Sequence, residues 1–229
     1  RLVLVRRYNQ QYEISTFRAL SYSSEDDPEA IDENIYGKPN EDALRRDFTI
    51  NGLFYDPLHQ EVIDHTQGLS DIQECVLCMI GNPAERIEQD PIRILRALRL
   101  SHRIGFRIEP EMRKAMSEKA HLLTTAVLPR VREEIIKILR LPTPHLTLLE
   151  GYDLGVLPAI SPRLSQIFDH TEKSQDFVNT LNVGLTAVGA DAEAAELYTM
   201  LLYAYLSSED PEWGSSLKTS FDEGFAEFV

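Results

Sequence analysis

Apolar and polar positions change their period about a third of the way along the chain. Up to residue 80 the apolar residues fall in short runs or alternate with polar ones, the period of half-buried strands. Leu2-Val3-Leu4-Val5 and the stretch 12–17, separated by Asn9-Gln10-Gln11, predict a hairpin. Stretches 48–55, 61–63 and 76–80 predict three more strands, with turns at Asp56-Pro57 and Gln67-Gly68. The segment 21–39 is acidic, Ser-rich and Pro-containing, and predicts a mobile loop.

Beyond Gly81-Asn82-Pro83 the spacing becomes helical, with Ile94, Leu95, Leu98 and Ile104 on one stripe. Asp90 is predicted to cap that helix and Pro91 to be its first residue. Further helices are expected over Pro110–Lys119 and over 130–139, where Val131, Ile135 and Ile138 form the apolar stripe. Leu141-Pro142-Thr143-Pro144 is a break, and the remainder reads as helical, with 197–206 expected to be buried. The fold class is therefore α+β, a mixed sheet followed by helices. Its parts are 1–80, a helical neck over 81–145 and a helical body over 146–229.

At 229 residues with 43% hydrophobic and 26% charged side chains, the chain can bury a substantial core. Its longest apolar stretches, near 177–190 and 197–206, are too short to span a bilayer. No signal-peptide pattern opens the chain, so the cytoplasm is the expected compartment. Arg1 stands where a Met would be, directly before a strand-like run, and the sequence reads as part of a longer protein. Cys75 and Cys78 form a single CxxC with no second pair, and are expected to be reduced core thiols on opposite faces of a strand. The six histidines show no metal-ligand spacing.

A net charge of −14 argues at first against a nucleic-acid partner. The charge is unevenly placed, however. Residues 21–42 and 141–229 are strongly acidic, whereas 93–107 holds Arg93, Arg96, Arg99, Arg103 and Arg107 with no acid among them. A basic middle is what a nucleic-acid contact requires.

Three constellations carry candidate chemistry. Arg45-Arg46-Asp47 sets two guanidinium groups beside a carboxylate, a set suited to phosphate oxygens and a ribose hydroxyl. Taken alone, it is equally a charged strand start. Asp90 and Arg93 lie one helical turn apart and can offer a paired acceptor and donor to the edge of a base. Arg96 and Arg99 wind further round the helix, and the plainer reading is a cap with solvated arginines. Glu13 is an acid within a strand, alone no more than a solvent-facing residue. Phosphate-loop, dinucleotide-binding and serine-hydrolase motifs are absent.

Together these constellations resemble, in order and spacing, the class II tRNA nucleotidyltransferase and bacterial poly(A) polymerase family. The matching text is the run from Glu13 to Arg18, Glu-Asp-Ala-Leu-Arg-Arg-Asp-Phe-Thr-Ile-Asn from Glu41 to Asn51, Ile63-Asp64 with Gly68 and Asp71, Ile80-Gly81-Asn82-Pro83 with Arg86, and the run from Asp90 to Arg99. The resemblance covers roughly 1–140 and implies part of a polymerase-β-like head sheet followed by a helical neck and body. It implies that Asp47 is an active-site acid tied to ribose selection, that Glu13 lies beside the metal-binding pair, and that Arg46 contacts the nucleotide. Asp90 and Arg93 would read the incoming base, with Arg96 and Arg99 as further nucleotide-binding residues. The implied activity is template-independent addition of AMP from ATP to RNA 3′ ends, with a two-ion Mg2+ site.

Two departures qualify this. Gln89 stands where the family has Glu, and the upstream Gly-Gly-x-x-Arg-Asp and Asp-x-Asp motifs have no counterpart in the chain, so the metal ligands are expected before Arg1 and the chain alone is expected to be inactive. Asp32-Glu33-Asn34-Ile35-Tyr36-Gly37 and Leu53-Phe54-Tyr55-Asp56-Pro57 resemble the poly(A) polymerase branch. The CCA-adding branch shares the Arg-Arg-Asp-Phe-Thr core and is the alternative. A non-catalytic RNA-binding protein is the reading from another class.

Overall fold

A computed structural model describes residues 2–19 and 36–209. The loop expected over 21–39 lies outside the described residues as far as residue 35, as does Asp32-Glu33-Asn34-Ile35. The chain divides into two compact units, one running to Pro83 and including Arg107–Glu109, the other comprising Ala84–Phe106 and the chain from Pro110 on.

The first unit begins with the expected hairpin, β1 (Leu2–Arg7) and β2 (Gln10–Ser15), turned at Tyr8 with φ of 55°. Its register pairs Val3 with Ile14, Val5 with Tyr12 and Leu4 with Glu13. Strand alternation therefore puts Val3, Val5, Tyr12 and Ile14 on one face, and Glu13 on the other with Leu2 and Leu4. Helix α1 (Pro39–Arg45) follows, its entry fixed by the Lys38 N–H donating to the Glu41 carboxylate at 2.7 Å.

The strand expected over 48–55 is broken in two. Phe48 makes an isolated bridge to Met79, a 3-10 turn spans Thr49–Asn51, and only then does β3 (Leu53–Asp56) pair with β4 (Glu61–Asp64). The break is a hydrogen-bond effect. The Thr49 carbonyl accepts both the Gly52 N–H at 2.9 Å and the Thr66 hydroxyl at 2.8 Å, which curls the backbone out of the ladder. Helix α2 (Gly68–Gln73) stands where only a turn was expected. Asp64 makes it possible by accepting the backbone N–H groups of Thr66, Gly68 and Leu69 at 2.9, 3.2 and 2.9 Å. These bonds outweigh the upward push of burial and hold the Asp64 carboxyl below its ordinary range. Strand β5 (Val76–Leu77) pairs in parallel with β6 (Arg107–Ile108). The strands thus form three two-stranded sheets among the described residues, where one mixed sheet was expected.

The second unit is helical. Helix α3 (Pro83–Gln89) leads through a turn into α4 (Arg93–Ile104), which buries Ile94, Leu95, Ala97 and Leu98. Gly105, at φ of 71°, and the Phe106 N–H returning to the Ser101 carbonyl at 3.0 Å close α4. Helix α5 (Pro110–Lys119) has the bounds read from the sequence, and α6 (Leu128–Leu139) starts two residues before the expected 130. After the Pro-containing break come α7 (Pro144–Asp153), α8 (Val156–Ile160), α9 (Pro162–Ser165), α10 (Thr171–Val188) and α11 (Ala194–Glu209). Phe177 and Leu181 of α10 and Ile167 are fully buried with Ile138, Leu148 and Leu197 around them. The stretch 197–206 is amphipathic rather than wholly buried, since Leu197 and Ala204 are inside while Leu202 is 56% exposed. Helices α10 and α11 approach closely at Gly184, where a Cβ would lie 2.8 Å from the Met200 sulfur.

Candidate nucleotide-binding site

The Arg-Arg-Asp motif sits at the end of α1. Arg46 caps the helix, and its Nε and Nη2 both donate to Asp42 Oδ2, at 3.3 and 2.9 Å, one turn back. Its guanidinium also lies 6.0 Å from the Phe54 ring centroid. The group is thus aimed by two neighbours while its side chain stays 48% exposed, as a phosphate contact would need. Asp47 is half-buried, and its backbone carbonyl accepts the Ile80 N–H at 3.1 Å, which ties the motif to the stretch after β5. Glu13 is exposed on β2, and the chain leaving that strand comes back to α1, where the Arg18 N–H donates to Asp42 at 3.2 Å and Phe17 meets Phe54 edge-on at 5.4 Å. A cavity of about 390 Å³ in this unit is lined by Thr49, Thr66, Asp71 and Cys78 among others, and by neither Arg46 nor Asp47.

The second constellation differs from the sequence expectation at Asp90. Helix α4 begins at Arg93, and the Ile92 position before it makes no side-chain cap. The carboxylate of Asp90 instead takes a two-pronged bond from Arg130 of α6, at 3.1 and 2.7 Å. A bidentate guanidinium is a stronger partner than a backbone N–H, and it draws the carboxylate away from the helix start. Arg93 Nη1 donates to the Arg86 carbonyl at 2.5 Å, across the turn between α3 and α4.

Arg96 and Arg99 converge on Glu134, an acid the motif reading missed. Arg99 Nε donates to Glu134 Oε2 at 2.7 Å, Arg96 Nε lies 3.7 Å from Oε1, and Lys137 Nζ reaches Oε1 at 3.1 Å. Glu134 is buried, at 3% exposure. Burial pushes its carboxyl up, but the bonds from Arg99 and Lys137 prevail and hold it below the ordinary range. Arg99, with a side chain 17% exposed, is thus held within the helix pair, whereas Arg96 keeps twice that exposure at 34%. A signal for Glu134 did exist, because an acid at 134 lies on the stripe through Val131 and Ile138.

Glu150 of α7 makes a second such knot. It pairs with His102 of α4 at 2.7 Å and with Arg113 of α5, and its carboxyl is held below the ordinary range by His102, then by Arg113 against burial. A depressed folded-state value means that the unfolded chain takes up the proton first as pH falls. The stability from this knot is therefore present above the ordinary value of 4.5 and is lost as pH falls below it. Urea titrations from pH 7 to 3 should show a shallower decline for Glu150→Gln than for the unaltered chain; equal slopes would remove Glu150 from the account.

Among the described residues, one group of three or more His, Cys, Asp or Glu side chains brings its ligand atoms within 4.8 Å: Asp56, His59 and Glu61, exposed or half-buried at the β3–β4 turn. His59 is thus an exception to the absence of metal spacing read from the sequence. Asp56 already accepts the Leu58 N–H at 2.8 Å and contacts His59 Nδ1 at 2.6 Å, which holds its carboxyl low and fixes the turn. A donor set with imidazole is a poor match for Mg2+, which prefers oxygen ligands and retained waters. The cysteines also differ from expectation. Cys75 is exposed, precedes β5 and has φ of 53°, and the half-buried Cys78 thiol is pushed up to about 12 by burial and by Asp71. Among the described residues, no helix is long and apolar enough to cross a membrane.

Residues 1–78 match the family model described as "Poly A polymerase head domain", and 105–168 match "Probable RNA and SrmB- binding site of polymerase A". Poly(A) polymerase I of Salmonella typhi is 34% identical over 165 residues, covering 68% of this chain and 36% of that protein. A CCA-adding enzyme of Lactobacillus johnsonii is 34% identical over 137 residues, covering 59% of this chain and 34% of that one. The chain thus spans about a third of the length of these relatives. In fold it resembles a solved CCA-adding enzyme, with a TM-score of 0.70 at 23% identity over 94% of this chain and 52% of the other.

Proposed function

Because the chain belongs to the poly(A) polymerase and tRNA nucleotidyltransferase family, we propose that it is the nucleotide-selecting part of an enzyme that adds AMP from ATP to RNA 3′ ends. In that reaction the RNA 3′-oxygen bonds to the α-phosphorus, the bond to the bridging oxygen breaks, pyrophosphate leaves, and the hydroxyl proton is lost. The observation that carries the reading is the Asp90 carboxylate, held by a bidentate guanidinium in a turn beside Arg93. A fixed carboxylate accepts from the exocyclic amino group of adenine or cytosine and repels the carbonyl that guanine or uracil presents there.

The other assignments follow from chemistry. Arg46 would hold phosphate, Asp47 would take the ribose hydroxyl, and Arg93, Arg96 and Arg99 would supply donors to the nucleotide, Arg99 while its Nε stays on Glu134. Glu13 would act only through neighbouring acids. Mg2+, where the reaction needs it, would be held by carboxylates other than those described, and by itself the chain would add no nucleotide. RNA would be gripped through backbone phosphates by the basic stretch 93–140, with affinity falling as salt rises, in the cytoplasm. CCA addition is the second reading, favoured by the comparable identity to CCA-adding enzymes.

In an active protein containing this chain, Arg93→Ala should lower kcat/KM for ATP by roughly tenfold or more and relax discrimination against GTP. Unchanged kinetics would remove Arg93 from the site. Extension of a short labelled RNA separates the branches: long ladders with ATP mean poly(A) addition, and a stop after a few nucleotides with CTP and ATP means CCA addition. A protein that binds RNA and extends nothing under any condition would be the non-catalytic RNA binder.

A further inference from the structure

The geometry points to a zinc site at the β3–β4 turn, with Asp56, His59 and Glu61 as its ligands and water completing the shell. The inference lies outside the nucleotide reading and does not depend on it. One ligand atom from each of the three side chains lies within 4.8 Å of the others. His59 Nδ1 stands 2.6 Å from Asp56 Oδ2, so a proton lies between a nitrogen and a carboxylate oxygen, where a metal ion can take its place. Ligand atoms on one tetrahedral zinc are about 3.3 Å apart. The close pair must therefore open and the third ligand close in, and both adjustments fall to the exposed side chains of His59 and Glu61.

The backbone prepares this set. The β3–β4 ladder, running from Leu53 with Asp64 to Asp56 with Glu61, brings the two acids opposite each other at the end of the hairpin. The Leu58 N–H donates to Asp56 Oδ1 at 2.8 Å, which orients the carboxylate and leaves Oδ2 for the imidazole. Gln60, at φ of 55°, turns the chain between His59 and Glu61. Bonds of this kind behind a ligand fix its direction toward a metal. Turn formation alone accounts for Asp56 and not for Glu61. Like charges directly opposite in an antiparallel pair are destabilising, and among the described residues the Glu61 carboxylate has no hydrogen bond or ion pair. A divalent cation between the acids turns that repulsion into attraction. One imidazole nitrogen with two carboxylate oxygens also selects the metal: zinc accepts both donor types, while Mg2+ and Ca2+ keep to oxygen.

The test is calorimetric titration of the full 229-residue chain with Zn2+, beside His59→Ala and Glu61→Gln, both at exposed positions. The unaltered chain should show a binding event for one ion. Each variant should weaken that event by at least the roughly tenfold that loss of a mere supporting group costs a metal site. Mg2+ in large excess should leave the event in place. Co2+ in place of Zn2+ should broaden the ring resonances of His59 first among the six histidines. No event in the unaltered chain would overturn the inference outright. An equal event in His59→Ala would put the zinc on other groups, such as the exposed Cys75, and overturn the site. If His59→Ala does not fold, Glu61→Gln decides, and unweakened binding there overturns the three-ligand set. Loss of the event in excess Mg2+ would overturn the choice of zinc.

Discussion

Glu134→Ala is expected to destabilise the helical unit by roughly 3–5 kcal/mol, the range for removing one partner of a buried charge pair. The carboxylate is 3% exposed and receives Arg99, Lys137 and, at longer range, Arg96. Alanine would leave Arg99, with a side chain 17% exposed, without the carboxylate it is bonded to. Neighbouring carboxylates on α6 do not replace it, since Glu133 lies on the exposed face, 3.9 Å from Lys137. Glu134→Gln keeps the shape and one acceptor, and should recover part of the loss. Urea unfolding checks the ranking. A loss below about 1 kcal/mol for the alanine variant would mean that the arginines find water instead, as exposed pairs do.

Gly68→Ala should destabilise the first unit by about 2 kcal/mol, well beyond what a methyl group costs at an open position. A Cβ there would lie 2.5 Å from the Thr49 carbonyl oxygen, 2.9 Å from its carbon and 3.2 Å from the Ile50 Cα, so backbone must move on one side or the other. The Thr49 carbonyl also receives Thr66 and Gly52, and its residue follows Asp47 and Phe48. The displacement should therefore reach the Arg-Arg-Asp motif and weaken nucleotide binding along with stability. Gly105→Ala is the control. It meets no atom within 4 Å and suffers only from φ of 71°, a cost of about 1 kcal/mol. Equal melting shifts for the two variants would contradict the close approach at Gly68.

The sequence announced what is decided locally. Pro110 at a first helical position gives a helix limit because proline pre-sets φ. It misled where a distant residue outcompetes the local partner. Asp90 has the spacing of a cap, yet Arg130 arrives 40 residues later with a stronger donor pair. Helix α2 was hidden for a similar reason, since its cap is supplied by Asp64, four residues before its start and outside the usual capping position. The strand over 48–55 had the right composition, but the hydroxyl of Thr66 on Thr49 decides the backbone there. In the candidate site the residue types were legible as motifs. That Arg99 would pair with an acid on another helix was not, because the pairing depends on the burial of Glu134 on α6.

The charges joining α4 and the turn before it to α6 alternate in sign. An acid at 90 meets a base at 130, and a base at 99 meets an acid at 134. Apolar stripes repeat at each turn and would tolerate a slip by one turn at modest loss. A slip that carried Arg130 to the place of Glu134 would crowd it against Arg96 and Arg99, with Asp90 abandoned. The alternation thus works as a register key: the aligned pairing joins opposite charges, and a one-turn slip sets like charges together and forfeits both ion pairs.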